Sequence, residues 1–438
     1  MNRRDAIKLG LFSGTFALTS LHATGFEKNS TKKVNKLGNR PRVIIIGGGF
    51  AGLSVAKTVK TNNQNAEVLV FEPKNVFASC PYSNFWLTQN KPATYDELLF
   101  SPHIPASKYG YEIVNQAVVA IDRENQKIAT LSSEYEYSLL VVATGIEYDY
   151  APYGLDKTQA QKVFTLYPPS YSGGTEQLSL YQKIQSFKKG VFVITVPPKS
   201  YRCPPAPYER ASLLANYFKN NNLDAKVVLI DPRVQPTTKA KGFLEAFKKV
   251  QTHLEYLPSS NIEFIDTTSK TIALQRFDIA QKRFTTQQLA FDDANIIPAN
   301  TASPLLRQSG LETTQEGWAR VSSPSFQSLN DDRVYIVGDV LGSYPFPKSA
   351  QMAHSMGFIV GEQIANRLKG DDQKIGSLLP SNVCYSFVEA DKAIAVSHQA
   401  VLKEGKVAVN SQLYEDADKA TADATKAWYR GITQSIFE

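Results

Sequence analysis

Cys80, Cys203 and Cys384 are the three cysteines of this 438-residue chain. In an oxidising compartment two of them would pair and one would be left over, and the odd one then needs another chain, a metal or a cofactor. Cys203 lies in a run rich in proline, Pro197-Pro198-Lys199-Ser200-Tyr201-Arg202-Cys203-Pro204-Pro205-Ala206-Pro207. That run directly follows an apolar stretch, residues 191–196, that reads as a buried strand. The carboxyl end of a strand in an open α/β sheet is where ligands bind. Cys384 lies 181 residues further on, in Ser381-Asn382-Val383-Cys384-Tyr385-Ser386, so spacing does not dictate a bond between the two. If they do pair, two readings stand. One is a redox-active bridge that a sulfur nucleophile attacks; the other is a structural staple of an exported protein. Cys80, in Phe77-Ala78-Ser79-Cys80-Pro81-Tyr82-Ser83-Asn84, is either buried and inert or attached to a cofactor.

The elements that must position these residues are legible as hydrophobic periodicity. Residues 42–46 form a short apolar strand, Gly47-Gly48-Gly49-Phe50-Ala51-Gly52 follows at once, and a helix pattern begins at Leu53. A second strand, residues 67–72, ends in Glu72, twenty residues after Gly52. Together these make a βαβ unit with a dinucleotide fingerprint. Gly47 allows the tight turn, Gly49 lets backbone approach a pyrophosphate, and Gly52 lets the helix pack on the sheet. Free N–H groups at the helix start face the phosphates, and Glu72 accepts from ribose hydroxyls. Two later strands close on Ala143-Thr144-Gly145 and on Gly338-Asp339. Between them lies a second α/β unit: strand 191–196, helix 211–219 and strand 226–231. Its first turn holds prolines where a phosphate cradle would need glycine. Proline has no N–H and a fixed φ, so the turn predicts a dinucleotide fold without its nicotinamide. From residue 381 a smaller unit mixes short strands, 393–396 and 406–409, with a helical tail over 416–430.

The chain is long enough for two or three cored domains, and its apolar (42%) and charged (20%) fractions are those of a globular protein. A net charge of +7 without a basic stripe argues against nucleic acid. No stretch beyond the N-terminal segment is long and apolar enough to span a bilayer. Arg3-Arg4 followed by a mildly apolar run, residues 9–21, predicts a twin-arginine export signal over residues 1–24 and hence a periplasmic protein. The alternative is a polar N-terminus with two arginines by chance. Residues 24–40 read as a linker. No Cys-x-x-Cys-His is present, so no c-type haem is expected in this chain, and no metal site is expected either.

The Ala-Thr-Gly and Gly-Asp segments resemble those of FAD-dependent disulfide reductases, in which the second motif's aspartate, here Asp339, binds the ribitol of FAD; Thr144, Gly145 and Gly338 belong to the same cofactor set. More narrowly, Arg202-Cys203-Pro204-Pro205-Ala206-Pro207-Tyr208-Glu209-Arg210, Cys80-Pro81-Tyr82-Ser83-Asn84, Pro347-Lys348-Ser349 and Asn382-Val383-Cys384-Tyr385-Ser386 resemble the flavoprotein subunit of flavocytochrome c sulfide dehydrogenases. The resemblance implies an α/β fold of two Rossmann-like domains and a small α+β C-terminal domain. The FAD domain would comprise 41–155 and 290–380, a second domain without NAD 156–289, and an interface domain 381–438. It also implies FAD bound covalently through a thioether to Cys80, a Cys203–Cys384 redox disulfide that sulfide attacks, and a haem-carrying c-type cytochrome subunit as partner. Glu209 would be an acid/base group, or else an ion-pair partner of Arg210 or a helix-start charge. Lys348 would lie by the flavin, or else serve as a helix cap or surface cation. The alternatives are a sulfide:quinone oxidoreductase, a non-catalytic sulfur-carrier partner and an NAD(P)H-dependent reductase.

Overall fold

The structure is a computed structural model that describes residues 33–89, 94–278, 281–342, 345–371 and 378–438. The export signal expected over residues 1–24 lies outside the described residues.

Two parallel sheets dominate. The first has seven strands, with Asp331–Ile336, Leu139–Val142, Arg42–Ile46, Glu67–Phe71 and Glu112–Val114 running parallel in that order. Arg42–Ile46 and Leu139–Val142 are buried along their whole length. That is why they read as unbroken apolar runs: a parallel strand is covered on both faces. The second sheet has four parallel strands in the order Leu254–Leu257, Asp224–Ile230, Lys189–Thr195 and Asp293–Asn295. The α/β class read from the sequence is the observed one. A third, antiparallel sheet of Ser381–Glu389, Lys392–Lys403 and Lys406–Asp418 leads into the terminal helix Lys419–Phe437. This helix joins two cores. Ile432, Ile436 and Phe437 pack with the first sheet, and Tyr429 packs with Trp86, Val388 and the second sheet's apolar side chains.

Several element boundaries differ from the sequence reading: the strands expected over 393–396 and 406–409 run as Lys392–Lys403 and Lys406–Asp418, and two helices are displaced. The helix of the second unit runs over Ala206–Asn220, five residues earlier than periodicity indicates. Proline belongs in a first helical turn, where its missing N–H costs nothing: Pro205 is the N-cap and Pro207 lies in the first turn, while Pro197, Pro198 and Pro204 remain in the loop. The tail helix starts at Lys419, not at 416, because the strand continues to Asp418 and the Asp418 carboxylate caps the helix by accepting from Thr421 N at 2.6 Å. It then continues to Phe437, beyond 430.

The helices Phe50–Asn62 and Ala350–Arg367 cross at very short range. A Cβ on Gly357 would stand 2.3 Å from Ala51 O, and one on Gly361 would stand 2.5 Å from Thr58 Cβ. This contact fixes the helix whose N-terminus forms the cradle described below. Replacing Gly357 by leucine should therefore destabilise the chain by about 1–3 kcal/mol or more through overpacking and loosen flavin retention. A urea unfolding midpoint equal to the parent's would show that the two helices do not meet here.

Candidate functional site

The first site element is the turn after Arg42–Ile46. Gly47 has φ +110°, and a Cβ there would lie 2.3 Å from Ala143 O. A Cβ on Gly52 would lie 1.9 Å from Gly47 O. Gly49 differs: a Cβ on it would meet nothing within 4 Å. The space over Gly49 is therefore open, at the start of a helix with no side-chain cap, where N–H groups point outward. Glu72 stands at the end of the next strand and accepts from Gly48 N at 3.0 Å and from Lys74 N at 3.1 Å. Its carboxylate thus shapes the glycine turn as well as bordering it. Thr144 is held nearby with its Oγ1 buried and without a hydrogen-bond partner. An open cradle over helical N–H groups, a carboxylate at its rim and an orphaned hydroxyl beside it are what an adenine dinucleotide requires, so these residues fit FAD.

The second element joins the two parallel sheets. Gly338 (φ +84°) turns the chain after the Asp331–Ile336 strand, and Asp339 accepts from Arg202 Nε at 2.7 Å. Arg202 comes from the proline-rich loop of the other sheet, and its guanidinium crowds Gly145 so closely that a Cβ there would lie 2.7 Å from it. The loop is pinned a second time by Cys203 N, which donates to Lys348 O at 3.0 Å. Lys348 is 3% exposed. It donates to the carbonyls of Asp339, at 2.8 Å, and Leu341, and lies 3.5 Å over the Trp318 ring. Lys348 is thus neither a surface cation nor a helix cap: it clamps the Gly-Asp turn from within, and burial lowers its pKa to about 7.

The third element is the sulfur cluster. All three cysteines are partly exposed free thiols, so the Cys203–Cys384 bond implied by the resemblance is not formed here. Burial pushes each thiol up, Cys203 furthest. Cys384 and Cys80 both add to the shift at Cys203, so the three sulfurs share one electrostatic neighbourhood. They arrive there from three directions: Cys80 beyond the first sheet, Cys203 from the loop of the second, and Cys384 from the Ser381–Glu389 strand of the third. Cys203 adopts φ +52°, a conformation rare for a side-chain-bearing residue, in the turn that starts the helix. At Cys80 the charges of Arg202 and Arg210 oppose the effect of burial; at Cys384 that of Lys239 does.

Glu209 lies in the first turn of the Ala206–Asn220 helix. It accepts from Asn84 Nδ2 at 2.8 Å and from Phe387 N at 2.7 Å. It makes no direct ion pair with Arg210. Instead Asn84 stands between them, its Oδ1 accepting from Arg210 Nε at 2.9 Å. Burial raises the Glu209 carboxyl above its ordinary range, against these two hydrogen bonds and the charges of Lys239 and Arg210. Glu209 contributes to the shifts of both Cys203 and Cys384, so it faces the pair.

Arg210 and Lys239 carry no functional signal in the sequence, yet both are 1% exposed. Arg210 hydrogen-bonds the neutral acceptors Asn84 Oδ1, Pro169 O, Ser170 O and Asn295 Oδ1. Lys239 donates to Cys384 O at 3.1 Å and Ser386 Oγ at 2.8 Å. Burying a cation costs several kcal/mol unless it is compensated, and these acceptors supply the compensation while both charges act on the cysteines. Arg202 was visible only as part of the quoted cysteine segment. Asn84 was likewise quoted, without a role.

The crevice of the second sheet is closed by its own side chains. The Asp231 carboxylate, 0% exposed, accepts from Tyr208 OH at 2.7 Å, Tyr256 OH at 2.9 Å and Arg233 N at 2.9 Å. Tyr201 and Tyr208, 2% and 0% exposed, fill the space behind the proline loop. A strand-end carboxylate that is wholly buried under two tyrosine side chains, unlike the partly exposed Glu72, is not available to a nicotinamide ribose.

Comparisons with known proteins agree with this geometry. Residues 41–166 match a family model described as pyridine nucleotide-disulphide oxidoreductase. Residues 177–298 match the central part of the sulfide dehydrogenase [flavocytochrome c] flavoprotein chain. Residues 379–437 match the flavin-binding model of flavocytochrome c sulphide dehydrogenase, so the unit expected as an interface domain carries the flavin-binding description. The mitochondrial sulfide:quinone oxidoreductase of Dictyostelium discoideum is 24% identical over 353 residues, 77% of this chain and 74% of that protein. The sulfide:quinone oxidoreductase structure from Aquifex aeolicus superposes with a TM-score of 0.72 at 15% identity, covering 90% of this chain and 91% of that one, a likeness of fold. The sulfide dehydrogenase [flavocytochrome c] flavoprotein chain of Chlorobaculum thiosulfatiphilum is 44% identical over 43 residues, 10% of this chain and 90% of that sequence. With residues 177–298 and 379–437 both matched by models of that one enzyme, and a flavoprotein chain of it 44% identical over 90% of its own sequence, the chain belongs to the flavocytochrome c sulfide dehydrogenase flavoprotein family.

Proposed function

We propose that this protein oxidises sulfide to sulfur or polysulfide through a Cys203–Cys384 disulfide and FAD joined to Cys80, and passes the electrons to a c-type cytochrome in the periplasm. The observation that carries the reading is that Cys80, Cys203 and Cys384, from three distant parts of the chain, share one electrostatic neighbourhood, with the Cys203 loop bonded through Cys203 N to Lys348 O and through Arg202 to Asp339. Gly47, Gly49, Gly52, Glu72, Thr144, Gly145, Gly338 and Asp339 would hold the cofactor. When bound, FAD supplies a two-electron acceptor that can release electrons singly, as a haem requires.

The chain's own residues account for the sulfur steps. Hydrosulfide bonds to one sulfur of the pair; the S–S bond breaks, and the other sulfur leaves as a thiolate with the electron pair. The persulfide so formed gives its outer sulfur to a second hydrosulfide, which departs as the hydrogen disulfide anion and leaves a thiol. Returning to the disulfide, the pair then gives up two electrons and one proton. Burial disfavours both thiolates, so the S–S state is the preferred one and the reduced pair is a ready electron donor. Glu209 faces the pair and takes the proton, and Asn84 and Phe387 N orient its carboxylate. The rigid proline loop holds Cys203 in place while Arg202 and Lys348 O anchor that loop to the Gly-Asp turn.

A quinone acceptor is the second reading, favoured by the similarity to the Dictyostelium enzyme. Against it, the terminal helix turns its apolar side chains, among them Tyr429, Ile432, Ile436 and Phe437, into the protein. Among the described residues no helix is long and apolar enough to cross a membrane.

Three outcomes are expected. Cys203→Ser and Cys384→Ser each abolish sulfide-dependent flavin bleaching in stopped flow while the flavin remains bound; bleaching at the parent rate in either variant sinks the mechanism. Cys80→Ser releases its flavin on acid precipitation whereas the parent retains it in the Cys80 peptide, and the parent reduces a c-type cytochrome faster than a soluble quinone. Glu209→Gln lowers sulfide turnover roughly 10²-fold. As a base Glu209 works as the carboxylate, and burial raises its pKa, so parent turnover falls as pH drops through that raised value. The variant should lack this acid limb, and a parent-like pH profile would remove Glu209 from the proton path.

A further inference from the structure

The charges around the sulfurs are divided. Arg202 and Arg210 act on Cys80, whereas the cation at the Cys203–Cys384 pair is Lys239. Lys239 immediately precedes the Ala240–Lys249 helix, in the second unit, yet its side chain crosses to the third sheet. There its Nζ donates to Cys384 O at 3.1 Å and to Ser386 Oγ at 2.8 Å, with the Phe243 ring 5.8 Å away. No ion pair joins Lys239 to a carboxylate among the described residues. An opposing charge in its neighbourhood is Glu209, which interacts with it through space and whose oxygens are held by Asn84 and Phe387 N.

Three features argue that the charge itself matters. The two hydrogen bonds are within reach of a neutral donor, which would avoid the cost of burying a cation. The residue sits at a helix N-terminus, the end where a cation gains nothing from the macrodipole. Its backbone has φ +52°, a left-handed conformation that a lysine adopts at a cost, and one that sites of function retain. Asn382, Cys384 and Ser386 share one face of their strand through the period-two alternation, so the ammonium lies against the carbonyl and the face that carry the reacting sulfur.

We propose that Lys239 is a positioning residue of the sulfur site: its buried ammonium fixes the strand carrying Cys384 and holds the anionic sulfur that forms at the cysteine pair. This rests on the sulfide reading above, and it extends that reading to a residue with no counterpart in the sequence motifs. Lys239 and Glu209 both act on the pair, the cation steadying each sulfur anion and the carboxylate removing the proton.

The test uses full-length, flavin-loaded Lys239→Met, Lys239→Gln and Lys239→Arg. Each reduced protein is alkylated with iodoacetamide across a pH series, Cys384 labelling is followed by peptide mass spectrometry, and sulfide kcat/KM is measured beside it. Lys239→Met and Lys239→Gln should move the Cys384 labelling midpoint upward by about one pH unit, a ten-fold loss of thiolate at fixed pH. Both should lower kcat/KM for sulfide at least in proportion, with flavin content unchanged. Lys239→Arg should restore most of both. Lys239→Gln keeps a donor for Cys384 O and Ser386 Oγ, so a parent-like labelling curve in that variant overturns the proposal even if Lys239→Met does not fold. If all three variants fail to fold, the role is structural and the proposal falls. Alkylation requires no sulfide turnover. A shifted labelling curve in a protein whose Cys384→Ser variant still turns over sulfide would therefore overturn the sulfide reading and not the placement of Lys239.

Discussion

The site depends on one junction, where the proline-rich loop of the second sheet meets the Gly-Asp turn of the first. Two contacts make it: Arg202 Nε to the Asp339 carboxylate at 2.7 Å, and Cys203 N to Lys348 O at 3.0 Å. The first is a charge-assisted hydrogen bond between side chains 23% and 12% exposed, shielded enough to be worth more than an open surface pair. The second binds backbone to backbone, so it survives any change of side chain short of proline. Because prolines restrict the loop on both sides of Cys203, these two contacts suffice to hold that sulfur at the edge of the cofactor cradle. Lys348 completes the arrangement by tying down the carbonyls of the turn that Arg202 grips.

Around this junction, burial and fixed charge act against each other. Burial disfavours every thiolate and the Glu209 carboxylate. Three cations restore part of what burial removes, Arg202 and Arg210 at Cys80 and Lys239 at Cys203 and Cys384. A site built only of apolar groups would leave the thiols inert, and a solvated one would leave the thiolates too stable to give up electrons. At Cys80, Cys203 and Cys384 burial and nearby cations therefore pull the thiol equilibrium in opposite directions. Asn84 keeps the opposite charges of Arg210 and Glu209 apart by bonding to both, so neither is neutralised by the other.

The second sheet is parallel like the first, but its strand end is filled by its own side chains. Its strand-end carboxylate, Asp231, is consumed by two tyrosines and an arginine backbone N–H, and its first turn is occupied by prolines and by Tyr201. The rigidity that makes this turn unsuitable for phosphates is the property that makes it suitable for presenting Cys203.

Much of this was legible in the residues alone. The βαβ start, the strands ending at Val142 and Ile336, the second α/β unit and the meaning of Gly47 and Gly52 follow from patterns a few residues long, because local sterics and strand or helix periodicity are set by near neighbours. The extent of the Ala206–Asn220 helix and the start of the tail helix were misjudged, since prolines in a first turn and an aspartate cap are resolved only once the flanking strand has its partners. The meeting of Cys80, Cys203 and Cys384, the grip of Arg202 on a residue 137 positions away, and the burial of Arg210 and Lys239 were decided by tertiary structure. Sequence spacing carries no information on which distant charges share a cavity; the packing of three sheets around one turn determines it.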